Sequence, residues 1–169
     1  MNDMCSMPAA WRSLALCLLL MAVASVAAET TTLPPPEYGP SLIVRGTTDK
    51  SFDNVIQELE FAITEHNYRI TGRNTLGKAL RERGYESFPD VEVILFCNVE
   101  QAHEVLMVDP GFVAMMPCRA TVHEQNGRRV VSMVLLPESH AHPEVVAFAR
   151  RVNRVLKDIL AFVLEQPVP

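Results

Sequence analysis

An Asn-Gly pair, Asn126-Gly127, stands between two β-rich runs, CRATVHE before it and RRVVSMVLL after it. A two-residue hairpin turn asks for positive φ at both central positions, which Asn and Gly adopt at least cost. The pair therefore commits this half of the chain to an antiparallel strand pair. Leu135-Leu136-Pro137 closes the second run, since proline cannot donate to a ladder. Past Pro143 the pattern changes. Val146, Phe148-Ala149, Val152, Val155-Leu156, Ile159-Leu160 and Val163 recur at helical spacing and predict a long amphipathic helix.

Upstream, SLIVRGTT (41–48) reads as a first strand. Ser51 then caps FDNVIQELEFAITEHN, in which Phe52, Val55, Ile56, Leu59, Ala62 and Ile63 form one face of a helix. YRITGRN (68–74) is a second strand, and TLGKALRERG a short helical turn closed by Gly84. VEVILFCN (91–98) is a third strand, VEQAHEVLMVD a short helix, and Asp109-Pro110-Gly111 a turn with Asp109 as its former. Pro117 prevents FVAMMPC from being a continuous central strand. The order β-α-β-β-β-β-α predicts an α+β fold of two layers, an antiparallel sheet with its helices packed on one face.

The strands are apolar on both faces. Val91, Val93, Leu95 and Cys97 oppose Glu92, Ile94 and Phe96, with Glu92 expected at the wet end of the strand. In the hairpin, Val131 and Met133 oppose Val130 and Val134. A sheet covered on one side should not repeat apolar residues on the other, so long loops or a second subunit must cover it. A homodimer is expected.

The first residues have another character. Arg12 precedes an apolar run, Leu14 to Val23, and small residues lead to Ala28 with Val26 two positions before it. This is the layout of a secretory signal (1–28), cleaved after about Ala28, and it is short for a membrane span. Cys17, in the middle of that run behind bulky Leu16, does not suit a lipid anchor. The expectation is a periplasmic or secreted protein with no stable membrane anchor after cleavage. ETTTLPPPEYGP (29–40) reads as a Pro/Thr-rich extended tether, leaving a single domain over 41–166. The net charge is −5 and the densest basic run is only RRVNR at 150–154, which argues against nucleic acid as a partner.

Three stretches, SFDNVIQELEFAITEHNYRI, VILFCN followed by Ala102, and DPGFVAMMPCRATVHEQNG, resemble the domain-of-unknown-function 302 family over roughly residues 41 to 137. Val99 and Met116 depart from it, standing where relatives have Pro and Leu. The resemblance implies a small α+β domain, often dimeric, with no agreed activity. It also implies that Gly and Leu serve in relatives at the positions of Cys97 and Cys118.

Those two cysteines, the only ones beyond Cys17, carry what chemistry the sequence suggests. By alternation Cys97 shares a face with Val93 and Leu95, and Cys118 with Ala120 and Val122. Both are expected on the helix-covered side, opposed if their strands are antiparallel neighbours. In an oxidising compartment a disulfide is then the leading expectation, closing a loop for roughly 3 kcal/mol. Inert core thiols, reversible thiol chemistry and a soft metal or haem stay open beside it. Asn98, Arg119 and His103 are the neighbouring binding or redox candidates. Met115 and Met116 add soft sulfur suited to Cu(I), and His140 and His142 a weaker, harder pair. No cofactor is expected, with copper or haem left open; the absence of CxxCH speaks against covalent haem.

GxSxG, Walker and HExxH motifs are absent, and a triad of Ser132, His123 and Asp109 has no support in spacing. The sequence thus points to a non-catalytic binding module of unknown small-molecule or protein ligand. The alternatives are a thiol-dependent redox or sulfur-handling protein, and a soft-metal or haem carrier.

Overall fold

Alternation of apolar residues at period two and at helical spacing sorts the chain into strands and helices as the sequence leads one to expect. The computed structural model describes residues 42–168; the expected signal (1–28) and tether (29–40) lie outside the described residues. Strand β1 (Ile43–Thr48) leads into helix α1 (Phe52–Glu65), whose cap Ser51 accepts a hydrogen bond from the Asn54 N–H. Strand β2 (Arg69–Asn74) and the short helix α2 (Leu76–Arg81) precede β3 (Val91–Cys97) and α3 (Val99–Leu106). A 3₁₀ turn (Pro110–Met115) leads to β4 (Cys118–Gln125), β5 (Arg128–Val134) and the long helix α4 (Pro143–Leu164). Asn126 and Gly127 take φ of 53° and 75°, the turn geometry that the hairpin demands.

The five strands pair antiparallel throughout, in the order β1-β5-β4-β3-β2, with the helices on one side. Two rows cross that covered face: Ile94, Ala120, Met133 and Val44, then Glu92, Val122, Val131 and Gly46. Over them pack Val55, Leu59 and Ile63 of α1 and Val152, Leu156, Ile159 and Leu160 of α4. α4 turns Val145 inward where the periodicity pointed to Val146. It also buries Asn153, which accepts from the Leu136 N–H at 2.8 Å and donates to the Leu136 carbonyl at 2.9 Å. This pair of bonds fixes the chain leaving β5 against the helix.

At the other end of α4, a Cβ on Gly46 would lie 2.2 Å from Leu164 Cδ1. The bare glycine is what admits the last turn of the helix onto β1.

The face assignment of β3 is the reverse of the one expected. Glu92, Ile94 and Phe96 lie under the helices, and Val91, Val93, Leu95 and Cys97 are half-buried on the other side. Counting apolar residues favours the wrong face, because it treats Glu92 as a residue that must reach water. Glu92 is only 5% exposed, and its carboxylate accepts from Arg73 Nε at 2.6 Å while the same guanidinium pairs with Glu60. A paired carboxylate tolerates burial that a lone one does not. The other face carries Val93, Leu95 and Val134 beside Thr121, Ser132 and exposed Arg119.

Candidate functional site

Where β3 leaves the sheet, the chain changes direction several times within a few residues. Asn98 caps α3, its Oδ1 accepting from the Gln101 N–H at 3.0 Å and its Nδ2 donating to the Asn67 carbonyl at 2.9 Å. It thereby ties the start of α3 to the turn before β2. Tyr68, in that turn, donates its hydroxyl to Gln101 Oε1 at 2.8 Å and sets its ring edge-on to Phe96. Asp109 Oδ1 accepts from the Gly111 N–H at 2.8 Å and so starts the 3₁₀ turn. That turn buries Phe112, whose ring meets Phe148 of α4 edge-on at 5.8 Å.

These local bonds hold a pocket open between the end of the sheet, α3 and α4. Its aromatic walls are Tyr68, Phe112 and Phe148, and Leu136 and Val152 close it from the α4 side. Sulfur comes from Cys97, Cys118, Met115 and Met116, all four of which line it. Its free volume is about 20 Å³. That is room for about one water-sized guest. A drug-sized ligand needs some hundreds of Å³, so haem does not fit this volume.

Burial sets the electrostatics. It pushes the Cys118 thiol up to about 11, with the neighbouring Cys97 adding to the shift, and moves Cys97 upward as well. The Tyr68 hydroxyl is raised too, by burial first and then by the two cysteines. All three groups hold their protons at neutral pH, so the pocket is uncharged and soft rather than nucleophilic.

The strand register separates the cysteines from the arrangement expected of them. Cys118 pairs with Phe96, and Cys97 with Arg69 of β2, one residue out of opposition. A slip of one residue exchanges the faces of a strand. Cys118 thus lies on the covered side with Ala120 and Val122, while Cys97 alternates to the side of Leu95. Both are free thiols. They still meet at the pocket because each sits at the end of its strand, and Cys97 also borders an open depression with Asn67, Arg69 and Val99.

Of the residues singled out from sequence, Cys97, Asn98, Met116 and Cys118 come together here. Arg119 lies exposed on the opposite face, across from Leu95. His103 is exposed on α3. His140 holds Asp109 Oδ2 through Nε2 at 3.0 Å and accepts the His142 N–H on Nδ1 at 3.1 Å, so both its ring nitrogens are engaged. His142 is exposed beside it, the rings 5.5 Å apart. Among the described residues no three His, Cys, Asp or Glu side chains gather as a metal cluster. Sequence reasoning did not pick out Tyr68, Gln101 or Phe112 as site residues, and Phe148 figured only in the apolar stripe of the last helix.

The family profile of the domain of unknown function DUF302 matches residues 44–163. A solved structure, the crystal structure of uncharacterized conserved protein DUF302 from Bacillus stearothermophilus, superposes with a TM-score of 0.65 at 17% identity. It covers 72% of this chain and 98% of its own. That likeness is one of fold. No curated protein matches the sequence. The chain belongs to the DUF302 family.

Proposed function

We propose that this DUF302 domain is an exported, non-catalytic binding module that takes a small, soft guest into the pocket at the end of β3. The observation that carries the reading is the pocket itself: a capped and aromatic-walled site whose four sulfur-bearing residues surround about 20 Å³. Caps at Asn98 and Asp109 keep its walls in place without filling it. A thiol-redox role would need a thiolate near neutral pH, and burial drives both thiols the other way.

Export is supported by the Arg12-led apolar run ending in Ala28. In the same reading the domain acts as a homodimer. Half-buried Val93, Leu95 and Val134 on the uncovered sheet face support a second copy there. A Leu95→Arg chain is then expected to sediment as a monomer where the unaltered chain sediments as a dimer.

Xenon tests the binding reading, being small, soft and uncharged. In protein labelled with ¹³C in its methionine methyls, xenon pressure is expected to shift the Met115 and Met116 signals saturably. The other methionines should stay in place. Methyl signals of Met115 and Met116 that ignore xenon would mark a closed piece of core and overturn the reading.

A further inference from the structure

We propose that the guest is Cu(I), held by the Cys118 thiolate with thioether support from Met115 and Met116, and delivered past Cys97 at the mouth of the pocket. This rests on the binding-module reading and names its ligand class.

Four sulfur-bearing residues converge from three separate places in the chain: the end of β3, the 3₁₀ turn with the residue after it, and the start of β4. A thiolate serves Cu(I) and Zn²⁺ alike, but Zn²⁺ takes Cys, His and carboxylate ligands, so the two thioethers favour Cu(I). The free volume of about 20 Å³ is on the scale of a single ion. Charge balance points the same way. Cu(I) carries one positive charge, and exchange for the Cys118 proton releases one H⁺ to solvent and leaves a neutral centre. Thioethers add donors without adding charge, so an apolar pocket can hold the product without an unpaired ion. A divalent ion on the same ligands would leave a buried net charge.

Cys97 has a different place. It borders both the pocket and the open depression beside Arg69 and Val99, so it lies between the interior sulfurs and solvent. An ion entering from that side meets Cys97 first. The ring nitrogens of His140 are both engaged, and neither His140 nor His142 lines the pocket, so the centre is one of sulfur rather than imidazole.

The test uses the full chain with Cys5→Ser and Cys17→Ser, leaving Cys97 and Cys118 as its only cysteines. The reduced, anaerobic protein competes for Cu(I) with a chromogenic chelator of known affinity. Expected are one copper per chain, about one proton released per copper, and an X-ray absorption spectrum of sulfur neighbours only. Cys118→Ser should weaken binding by more than about 100-fold, beyond the 10–100-fold typical of an outer-shell partner. The volume-conserving pair Met115→Leu and Met116→Leu should weaken it about tenfold, and it serves if the serine variant does not fold. Cys97→Ser should slow copper uptake more than it weakens retention.

Copper lost entirely to a weak competitor, retained equally after Cys118→Ser or the double leucine change, or seen with nitrogen neighbours would overturn the assignment. Xenon entry without copper retention would end the copper proposal and leave the binding module standing. Exclusion of xenon together with copper binding indifferent to the sulfur variants would end both.

Discussion

The two ends of β3 treat non-aliphatic side chains in opposite ways. At the start of the strand Glu92 is buried but matched: Arg73 neutralises it, and Glu60 shares the same guanidinium. At the other end Cys97, Asn98 and Cys118, from the neighbouring strand, line a small void, and its thiols keep their protons at neutral pH. One end is closed by paired charge and the other is left soft and partly open. The contrast teaches where in this fold a ligand can be accommodated without dismantling a polar network. The closed end is also bordered by a surface recess of Phe52, Asp53, Gln57, Glu60 and Arg73, in which Arg73 is already paired with Glu60 and Glu92.

The comparison breaks most visibly at Glu92. Arg73→Ala strands the buried Glu92 carboxylate without its partner and should lower unfolding free energy by about 3 kcal/mol, the low end for a broken buried pair. Urea denaturation measures it. A loss below that of the pocket substitutions would mean that the charged end is not the stabilising one.

The soft end should show itself through pH. The Cys118 thiol is raised by burial from 9.0 to about 11. Below about pH 9 both folded and unfolded states keep the proton, and the stabilisation is fully present. Between about 9 and 11 the unfolded chain ionises while the folded one resists, so stability falls as pH rises. The loss should be roughly 2 kcal/mol, with Cys97 and Tyr68 pulling in the same direction. Denaturation midpoints across that window, compared with Cys118→Ala, provide the check; an unchanged slope in the variant would exonerate the thiol.

Asn98→Ala removes a helix cap and a bond to Asn67, and should cost about 1 kcal/mol in thermal or urea unfolding. It should also broaden the Tyr68 and Gln101 resonances, since their hydrogen bond is positioned by the same turn. Smallest is Met116→Leu, a near-equal exchange of volume expected to stay within about 1 kcal/mol of the parent by the same denaturation. A much larger loss there would mean that the end of the sheet is packed as tightly as its middle.

Much of this architecture is legible in the residues. Asn126-Gly127 fixes the hairpin because so few pairs tolerate its dihedrals, and Ser51 and Pro143 mark helix starts by local chemistry alone. The layered α+β arrangement follows once those elements are in order. The covered face of β3 was not legible, because it depends on Glu92 finding Arg73 across β2, a contact nineteen residues apart in the chain. The pocket was half legible. Cys97, Asn98, Met116 and Cys118 stood out as unusual residues near strand ends, and they do meet. Their true register could not follow from alternation, which is indifferent to a shift that pairs Cys118 with Phe96. Phe112, Phe148 and Tyr68 carry no signal that separates a pocket wall from ordinary core; only the caps at Asn98 and Asp109 hint that the chain turns sharply there.

The glycine at position 46 has a consequence for the order of events in assembly. It lets the last turn of α4 settle on β1, and among the described residues β1 pairs with β5 alone, far along the chain. A polypeptide made from its amino end therefore carries its first strand unpaired until nearly all the remainder has been synthesised. Contacts so distant in sequence close slowly. The carboxyl-terminal helix that covers this strand can dock only once the chain is almost complete, so it is the latch that closes the sheet last.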